Sequence, residues 1–340
     1  MPKVTTLADV AAACGVSVAT VSRALSGSGE LSAQTRGNVL AAAARLGYER
    51  EQQRRGRPRR RADDLIELVL THFDDPWSGE VIAGARQAAA ERGYDLVLTA
   101  EREVASDDWP ERLRARRPAG AVLGLILPTA SQLRTLAGTG IPLVLLDPRS
   151  DQHHPLTSVR TTDRAGGADA ARHLLARGAR RFVIVEGAPS YRFGRARVAG
   201  FRDALGAGEG ALTQVTVESV RAGWDADSAA GAVLPALVRA REQGNPVGVF
   251  ACSDDMAVGV YRAAAAAGSV IGENVLLVGF DDTPAASWLS PPLTTVHQPI
   301  RAMAGAAVSA LADIVEGVRV PGGHVDMPTR LVVRRSSGVD

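Results

Sequence analysis

The chain contains very little lysine and cysteine. Lys3 is the only lysine among its 39 basic residues, so no later segment offers the lysine of a phosphate-binding loop or a Schiff base. The two cysteines, Cys14 and Cys252, lie in what we expect to be separate domains. This argues against a disulfide framework.

Long apolar segments and catalytic motifs are missing as well. No uncharged apolar run reaches the roughly 18 residues of a membrane-spanning helix, and the N-terminus lacks a basic-then-apolar secretion signal. We therefore expect a cytoplasmic protein with no membrane partner. G-x-S-x-G, H-E-x-x-H and metal-spaced Cys/His patterns do not occur, and GAGEG at 206–210 follows no strand. The sequence therefore predicts no enzyme activity, no metal and no cofactor.

Charge is distributed unevenly over the chain. With 340 residues, the protein exceeds the roughly 250–300 residues that one hydrophobic core usually serves. Residues 1–61 carry 11 basic and four acidic side chains, a net charge of +7, whereas the whole chain carries only +2. A basic N-terminal segment on a mildly acidic body predicts polyanion binding at one end.

Two short helices joined by a tight turn are predicted between Leu7 and Leu25. Thr6 is a plausible N-cap with Asp9 completing a capping box, and Gly15 suits the left-handed position after the first helix. Ser17 is the expected N-cap of the second helix. This helix turns short side chains and one arginine outward, as a helix in the DNA major groove requires: Val18, Ala19, Ser22 and Arg23.

A third helix follows, with Ser32 as its cap, and it runs to about Tyr48. Ser32 and Arg36 are then placed to contact backbone phosphates. An ordinary helical hairpin that only packs remains the alternative interpretation of the first two helices.

The segment LADVAAACGVSVATVSRALSGSGELSAQTRGNVLAAAARLGY resembles the N-terminal head of the lac/gal repressor family of bacterial transcription regulators. The resemblance implies a DNA-binding head at 1–49 and a homodimer on a pseudo-palindromic, double-stranded operator. No leucine heptad follows the final apolar run LVVRR, so we expect nothing larger than a dimer. The residues expected to contact DNA in the head are Thr6, Ser17, Val18, Ala19, Thr20, Ser22, Arg23, Ser32 and Arg36.

The linker at 50–63 departs from this family. In relatives a hinge helix places a leucine in the minor groove, but here the matching positions are Arg55, Gly56 and Arg57, and Gly56 and Pro58 disfavour a helix. Arg-Gly-Arg-Pro is similar to the core of an AT-hook. We therefore hypothesise that Arg55 and Arg57 enter a narrow A·T minor groove. A flexible basic linker that contacts only phosphates is the alternative.

From residue 64 onward, short apolar runs alternate with helical patterns. The runs are LIELVL, DLVL, AVLGLIL, PLVLL, RFVIV, PVGVF and VLLVGF, and the helices are expected at 80–92, 164–177, 195–205, 226–241 and 255–267. This alternation predicts an α/β fold with two parallel sheets.

The family implies a two-lobed body at 64–340 that resembles periplasmic sugar-binding proteins. We expect one lobe at about 64–160 plus 293–320 and the other at about 163–290 plus 324–340. Chain crossings between the lobes are expected at Arg160–Asp163, Leu289–Thr295 and Val320–Asp326.

Candidate ligand residues follow the ends of the predicted strands, where open α/β sheets bind small molecules. Trp77 could stack on a sugar ring and Asp74 could accept from hydroxyls, although a core tryptophan is the alternative. Asp147 could be an acceptor or only a turn aspartate, and Asp281 could be an acceptor or part of an N-cap. The resemblance implies that a set of residues lines the cleft: Asp147, Arg197, Trp224, Ser253, Asp281 and Gln298.

The resemblance implies a transcription regulator that acts as a repressor, and these side chains predict that it responds to a small neutral saccharide. Paired carboxylates accept well from hydroxyl groups, whereas a phosphosugar would need more cations than Arg197 unless Arg149, Arg192 or Arg195 turns inward. Analogy suggests xylose or a short xylo- or gluco-oligosaccharide. The alternatives are a regulator that senses a phosphosugar or another metabolite, an effector-independent regulator, an architectural DNA-binding protein and a solute-binding protein.

Overall fold

The computed structural model describes residues 6–26, 31–46, 48, 64–101, 108–150, 156–206, 215–244, 246–318 and 322–338. The chain divides into two compact units, residues 1–59 and 60–340. The linker predictions at Arg55 and Arg57 lie outside the described residues. Among the described residues, no single helix is long and apolar enough to cross a membrane; only the bent pair Leu7–Cys14 and Val18–Leu25 passes that test, when its two helices are taken together.

The described residues of the first unit form three helices: α1 (Leu7–Cys14), α2 (Val18–Ser26) and α3 (Ala33–Arg45). The capping box of Thr6 and Asp9 is present, and Gly15 has a φ of 65°, as predicted. The hydroxyls of Ser17 and Ser32 accept from the amides of Thr20 and Thr35, so both predicted N-caps are confirmed. The core of this unit consists of small and β-branched side chains: Val10, Ala11, Val21, Ala24, Val39, Ala42 and Ala43.

The second unit alternates strands and helices, as the apolar runs predict. Its first half contains β1 (Leu65–Leu70), α4 (Pro76–Glu91), β2 (Asp95–Ala100), α5 (Trp109–Arg116), β3 (Gly120–Gly124), α6 (Ala130–Ala137), β4 (Leu143–Leu146) and β5 (Ser158–Thr161). The chain continues with α7 (Asp163–Ala176), β6 (Arg181–Glu186), α8 (Arg192–Gly206), β7 (Thr216–Arg221), α9 (Ala226–Glu242), β8 (Val247–Ala251), α10 (Asp254–Ala266) and β9 (Val275–Asp281). It ends with β10 (Thr294–His297), α11 (Ile300–Val315), β11 (His324–Met327) and β12 (Arg330–Val332).

These strands form two six-stranded sheets, each the centre of one lobe. The first has the order β11-β5-β4-β3-β1-β2 and is entirely parallel; the second has the order β12-β10-β9-β8-β6-β7, and only β12 is antiparallel. Helices α4 and α11 pack on the first sheet, whereas the core of the second lobe includes side chains of α7 to α10. Within the second lobe, α7 and α8 pack closely because Gly167 faces the backbone of Arg197 and Gly200 faces the backbone of Arg164.

One of the three predicted lobe crossings is correct and two are misplaced. The chain crosses after β5, within the predicted Arg160–Asp163. The crossing predicted at Leu289–Thr295 is wrong because β10 pairs with β9, so that the chain leaves the second sheet only at Gln298. The crossing predicted at Val320–Asp326 is wrong because β11 pairs with β5, which moves it to residues 328–329. Strand β11 is largely exposed and has no apolar run, so it left no signal in the sequence.

Candidate functional site

The carboxyl ends of strands from both sheets face one cavity. The cavity contains about 710 Å³ of space not filled by protein, including the part open to solvent. Seven of the eight predicted ligand residues line it: Trp77, Asp147, Arg197, Trp224, Ser253, Asp281 and Gln298.

Asp74 is the predicted residue that the structure does not bring to the cavity. Its side chain is 93% exposed and lies 3.3 Å from Nδ1 of His72. The neighbouring Asp75 lines the cavity instead, and its Oδ1 accepts from the amide of Ser78 as the N-cap of α4. The cap holds Asp75 at the helix end, and Asp74 is left in solvent.

Sequence reasoning predicted Trp224 but missed the two aromatic residues of the second lobe that pack against it, Tyr191 and Phe193. Tyr191, Phe193 and Trp224 have ring centroids 4.9 to 5.5 Å apart, and all three line the cavity. The pattern Tyr191-x-Phe193 at the start of α8, one turn before Arg197, was the available signal. Together with Trp77 it gives the cavity aromatic surfaces from both lobes.

A chain of buried charges runs behind the cavity. Nη2 of Arg192 donates to Asp147 at 2.7 Å and to Asp163 at 2.9 Å. Nε of Arg197 donates to Asp163 at 3.0 Å, while its Nη1 donates to the carbonyl of Cys252 at 2.7 Å and lies 3.4 Å from Asp281. Each charge therefore has an internal partner, as buried ions require.

Neighbouring groups hold Arg197 and Asp281 in place. The Arg197 guanidinium lies over the ring of Phe280, 3.8 Å from its centroid, and near Phe193 at 4.8 Å. Nε2 of Gln298 donates to Asp281 at 2.5 Å. Asp281 has a φ of 119°, a strained value for a residue other than glycine, and such strain is often found at ligand sites.

Besides Oδ2 of Asp75, which lies 3.0 Å from Nδ1 of His72, two buried polar groups in the cavity wall have no hydrogen-bond partner among the described residues. They are the hydroxyl of Thr71 and the indole N–H of Trp224. Buried polar groups are normally satisfied, so both are available to a bound molecule.

Burial changes the ionisation of the cavity carboxyls. It raises the pKa of Asp147 to about 6 and that of Asp281 to about 7, against the opposing charge of the neighbouring arginines. The pKa of Asp254, behind Asp281, is also raised by burial and by the charge of Asp281. An aspartate in an unfolded chain titrates near 3.9, so the folded protein retains protons that the unfolded chain has released.

We therefore expect the free energy of unfolding to fall as the pH rises from about 4 to about 7, by a few kcal/mol in order of magnitude. The fall should be smaller in Asp281→Asn, which removes one titrating carboxyl and relieves Asp254. Urea unfolding of the ligand-free protein across this pH range measures the effect. Asp74→Asn is the control, since that side chain is exposed, and an equal slope in both variants would contradict the assignment.

The predicted DNA-contacting residues lie on the first unit. Val18, Ala19, Ser22 and Arg23 are exposed on α2, and Thr20 is half-buried beside Ser17. Nε of Arg23 donates to the carbonyl of Ala19 at 3.3 Å, which directs the side chain along the helix. Of the other predicted DNA-contacting residues, Thr6 and Ser32 cap α1 and α3, and Arg36 is half-buried in the first turn of α3.

Within the described part of the chain, no group of three His, Cys, Asp or Glu side chains is arranged to hold a metal ion.

Comparisons with known proteins match both units. Residues 6–51 match the bacterial regulatory proteins of the lacI family, and residues 171–337 match the periplasmic binding protein-like domain. The HTH-type transcriptional regulator reg1 of Streptomyces lividans is 35% identical over 98% of this chain and 96% of its own.

Two solved structures cover nearly all of the chain. The complex of the transcriptional regulator CelR with cellobiose has a TM-score of 0.71 and 30% identity over 98% of this chain and 99% of its own. The lac repressor dimer bound to operator and the anti-inducer ONPF has a TM-score of 0.72 and 29% identity over the same shares.

A helix–turn–helix head together with a two-lobed α/β body defines a DNA-binding transcription regulator with a small-molecule site. The chain belongs to the lacI family of bacterial regulatory proteins.

Proposed function

We propose that the protein is a homodimeric repressor whose affinity for a pseudo-palindromic operator is controlled by a neutral saccharide in the cleft. The main observation in support is that the two buried arginines, Arg192 and Arg197, are already hydrogen-bonded to groups of the protein itself. Arg192 turned inward, as a phosphosugar site would require, yet its Nη2 is held by Asp147 and Asp163. A phosphate in this cleft would have to displace these carboxylates.

The remaining groups of the cleft suit hydroxyls and sugar rings. Asp147 and Asp281 offer carboxylate oxygens, and the Trp224 indole N–H and the Thr71 hydroxyl have no hydrogen-bond partner among the described residues. Trp77 and Trp224 can stack on the C–H faces of sugar rings from opposite lobes. CelR, a relative of similar fold, was solved with cellobiose. This supports a short gluco-oligosaccharide ahead of a pentose.

The operator side of the proposal rests on symmetry. Two heads that read two half-sites need a two-fold dimer, and the related lac repressor was solved as a dimer on its operator. Saccharide binding changes operator affinity only as far as the sugar prefers one arrangement of the lobes. We propose that it releases the operator, which a titration of labelled operator with and without saccharide measures.

Thermal unfolding against a panel of sugars tests the effector assignment. The panel holds pentoses, hexoses, xylo- and cello-oligosaccharides and their phosphates. At about 100 times its Kd a true ligand adds roughly 2.7 kcal/mol of stability. The shift should disappear in Trp77→Ala and Asp281→Ala and persist in Asp74→Ala. A response to phosphorylated sugars alone would overturn the neutral-saccharide proposal.

The linker hypothesis remains a prediction from sequence. Replacing Arg55 and Arg57 with alanine should weaken binding to operators with an A·T-rich centre more than to those with a G·C-rich centre. The control is Arg59→Ala with Arg60→Ala, which removes the same charge outside the Arg-Gly-Arg-Pro core and should weaken both operators equally. Equal losses on both operators in the first variant would leave only phosphate contacts.

A further inference from the structure

Arg192 connects the two lobes without lining the cleft. It is the first residue of α8 in the second lobe and is 7% exposed. Its partner Asp147 directly follows β4 of the first lobe, whereas Asp163 begins α7 of the second. The guanidinium therefore joins a carboxylate of one lobe to a carboxylate of the other.

Further contacts join the same two segments. The amide of Arg192 donates to the carbonyl of Arg149 at 2.9 Å. The Arg149 guanidinium lies 4.1 Å from the ring centroid of Tyr191, and its Nη2 is 3.4 Å from the Ser190 hydroxyl. We call residues 147–149 and 190–192 the interlobe contact.

Charge balance makes this contact dependent on Arg192. Asp147 is 1% exposed, as is Asp163, and the charge of Asp163 raises the pKa of Asp147. The charged groups that face Asp147 are Asp163, Arg192 and Arg197. Without Arg192, Asp147 would lose its bonded cation, whereas Asp163 would keep its bond to Arg197. An unpaired buried charge strongly disfavours the arrangement that encloses it.

We infer that Arg192 is a positioning residue that holds the lobes in the arrangement that binds the effector and presents Asp147 to the cleft. This inference deepens the proposed function and rests on it. Arg192 lines a separate open groove, together with Arg160, Arg164 and Arg172, and is not among the residues that line the cleft. It can therefore act on a ligand only through its partner Asp147, which does line the cleft. Loss of Arg192 should therefore open the interlobe contact even when no ligand is present.

The Arg192 amide offers a direct measurement of that opening. As the first residue of a helix, it has no partner within the helix, so its protection from hydrogen exchange depends on the carbonyl of Arg149. In the full-length, ligand-free protein, Arg192→Met should speed exchange at residue 192 at least tenfold, after correction for the intrinsic rate. Arg202→Met removes an exposed arginine of the same helix that contacts Ser219 and Glu186, away from the interlobe contact, and should leave exchange unchanged.

A second readout follows cellobiose binding by calorimetry. Arg192→Met should weaken binding about tenfold or more and move the pH midpoint of affinity upward, since the cation that lowers the pKa of Asp147 is gone. Arg192→Lys should restore part of the affinity. Tighter binding in Arg192→Met would mean that the contact stabilises a competing arrangement of the lobes, and would overturn the inference.

The double variant Arg192→Met/Asp147→Asn separates opening from local unfolding. This variant removes the unpaired Asp147 carboxylate but does not restore the bond between the lobes, so exchange at residue 192 should remain fast. Exchange restored to the wild-type rate in the double variant would overturn the inference. If no saccharide binds the wild-type protein, the proposed function fails, whereas the exchange result still decides the role of Arg192.

Discussion

Gly167→Ala is expected to lower the free energy of unfolding by about 3 kcal/mol and to weaken saccharide binding at least tenfold. Gly167 lies in α7 where this helix meets α8, and a Cβ at this position would overlap the backbone of Arg197. No side-chain rotation can relieve an overlap with backbone. The two helices must separate, and Arg197 moves away from Asp163 and Asp281.

The matched control is Gly231→Ala in α9. A Cβ at Gly231 has nothing within 4 Å, so the change should be neutral or gain up to about 1 kcal/mol from helix propensity. Urea unfolding and calorimetric titration of both variants give the comparison. If Gly167→Ala retained wild-type stability and affinity, the close packing of α7 and α8 would not be what positions Arg197.

Val21→Asp is expected to abolish operator binding, with a loss of three orders of magnitude or more. Val21 is fully buried among the few side chains that form the core of the head. A carboxylate there has no partner of opposite charge in this core, and burying an unpaired charge costs more than so small a core provides. The body has its own cores, so the thermal shift with saccharide should persist.

Leu40→Asp serves as the control for charge. Leu40 is 48% exposed on α3, so the variant adds the same negative charge to the head without burying it. It should weaken operator binding only through repulsion, and the loss should shrink as salt is raised. Fluorescence anisotropy with labelled operator measures both variants. Equal losses in the two would show that charge, and not the fold of the head, controls binding.

Local features of the head were predictable because they depend on residues close together in sequence. The Thr6–Asp9 capping box, the left-handed Gly15 and the N-caps Ser17 and Ser32 each involve a single turn of chain. The buried strands of the body were predictable for a related reason. A central parallel strand is covered on both faces, so β1, β6, β8 and β9 are short apolar runs in the sequence.

Two of the strands at the edges of the sheets could not be recognised in this way. Strands β7 and β11 are exposed and mix charged with apolar residues, so only their partners define them. Because β11 pairs with β5 and β10 pairs with β9, two of the crossings between the lobes lie at positions other than those predicted. The sequence pattern does not distinguish Asp74 from Asp75 as the cavity residue. In the structure Asp75 caps α4 and lines the cavity, whereas Asp74 does not.

The sequence by itself determined the helix–turn–helix head and the α/β class of the body, since capping, periodicity and apolar runs are local properties, whereas most of the cleft residues followed from the resemblance to the family. Only the tertiary structure decided how the charges of the cleft are used. From the sequence alone, Arg192 and Arg197 could each have bound an anionic ligand. In the structure, segments that are distant in sequence bring Asp147, Asp163 and Asp281 next to these arginines and neutralise their charge. Electrostatic pairing depends on distance in space, which no spacing along the chain specifies.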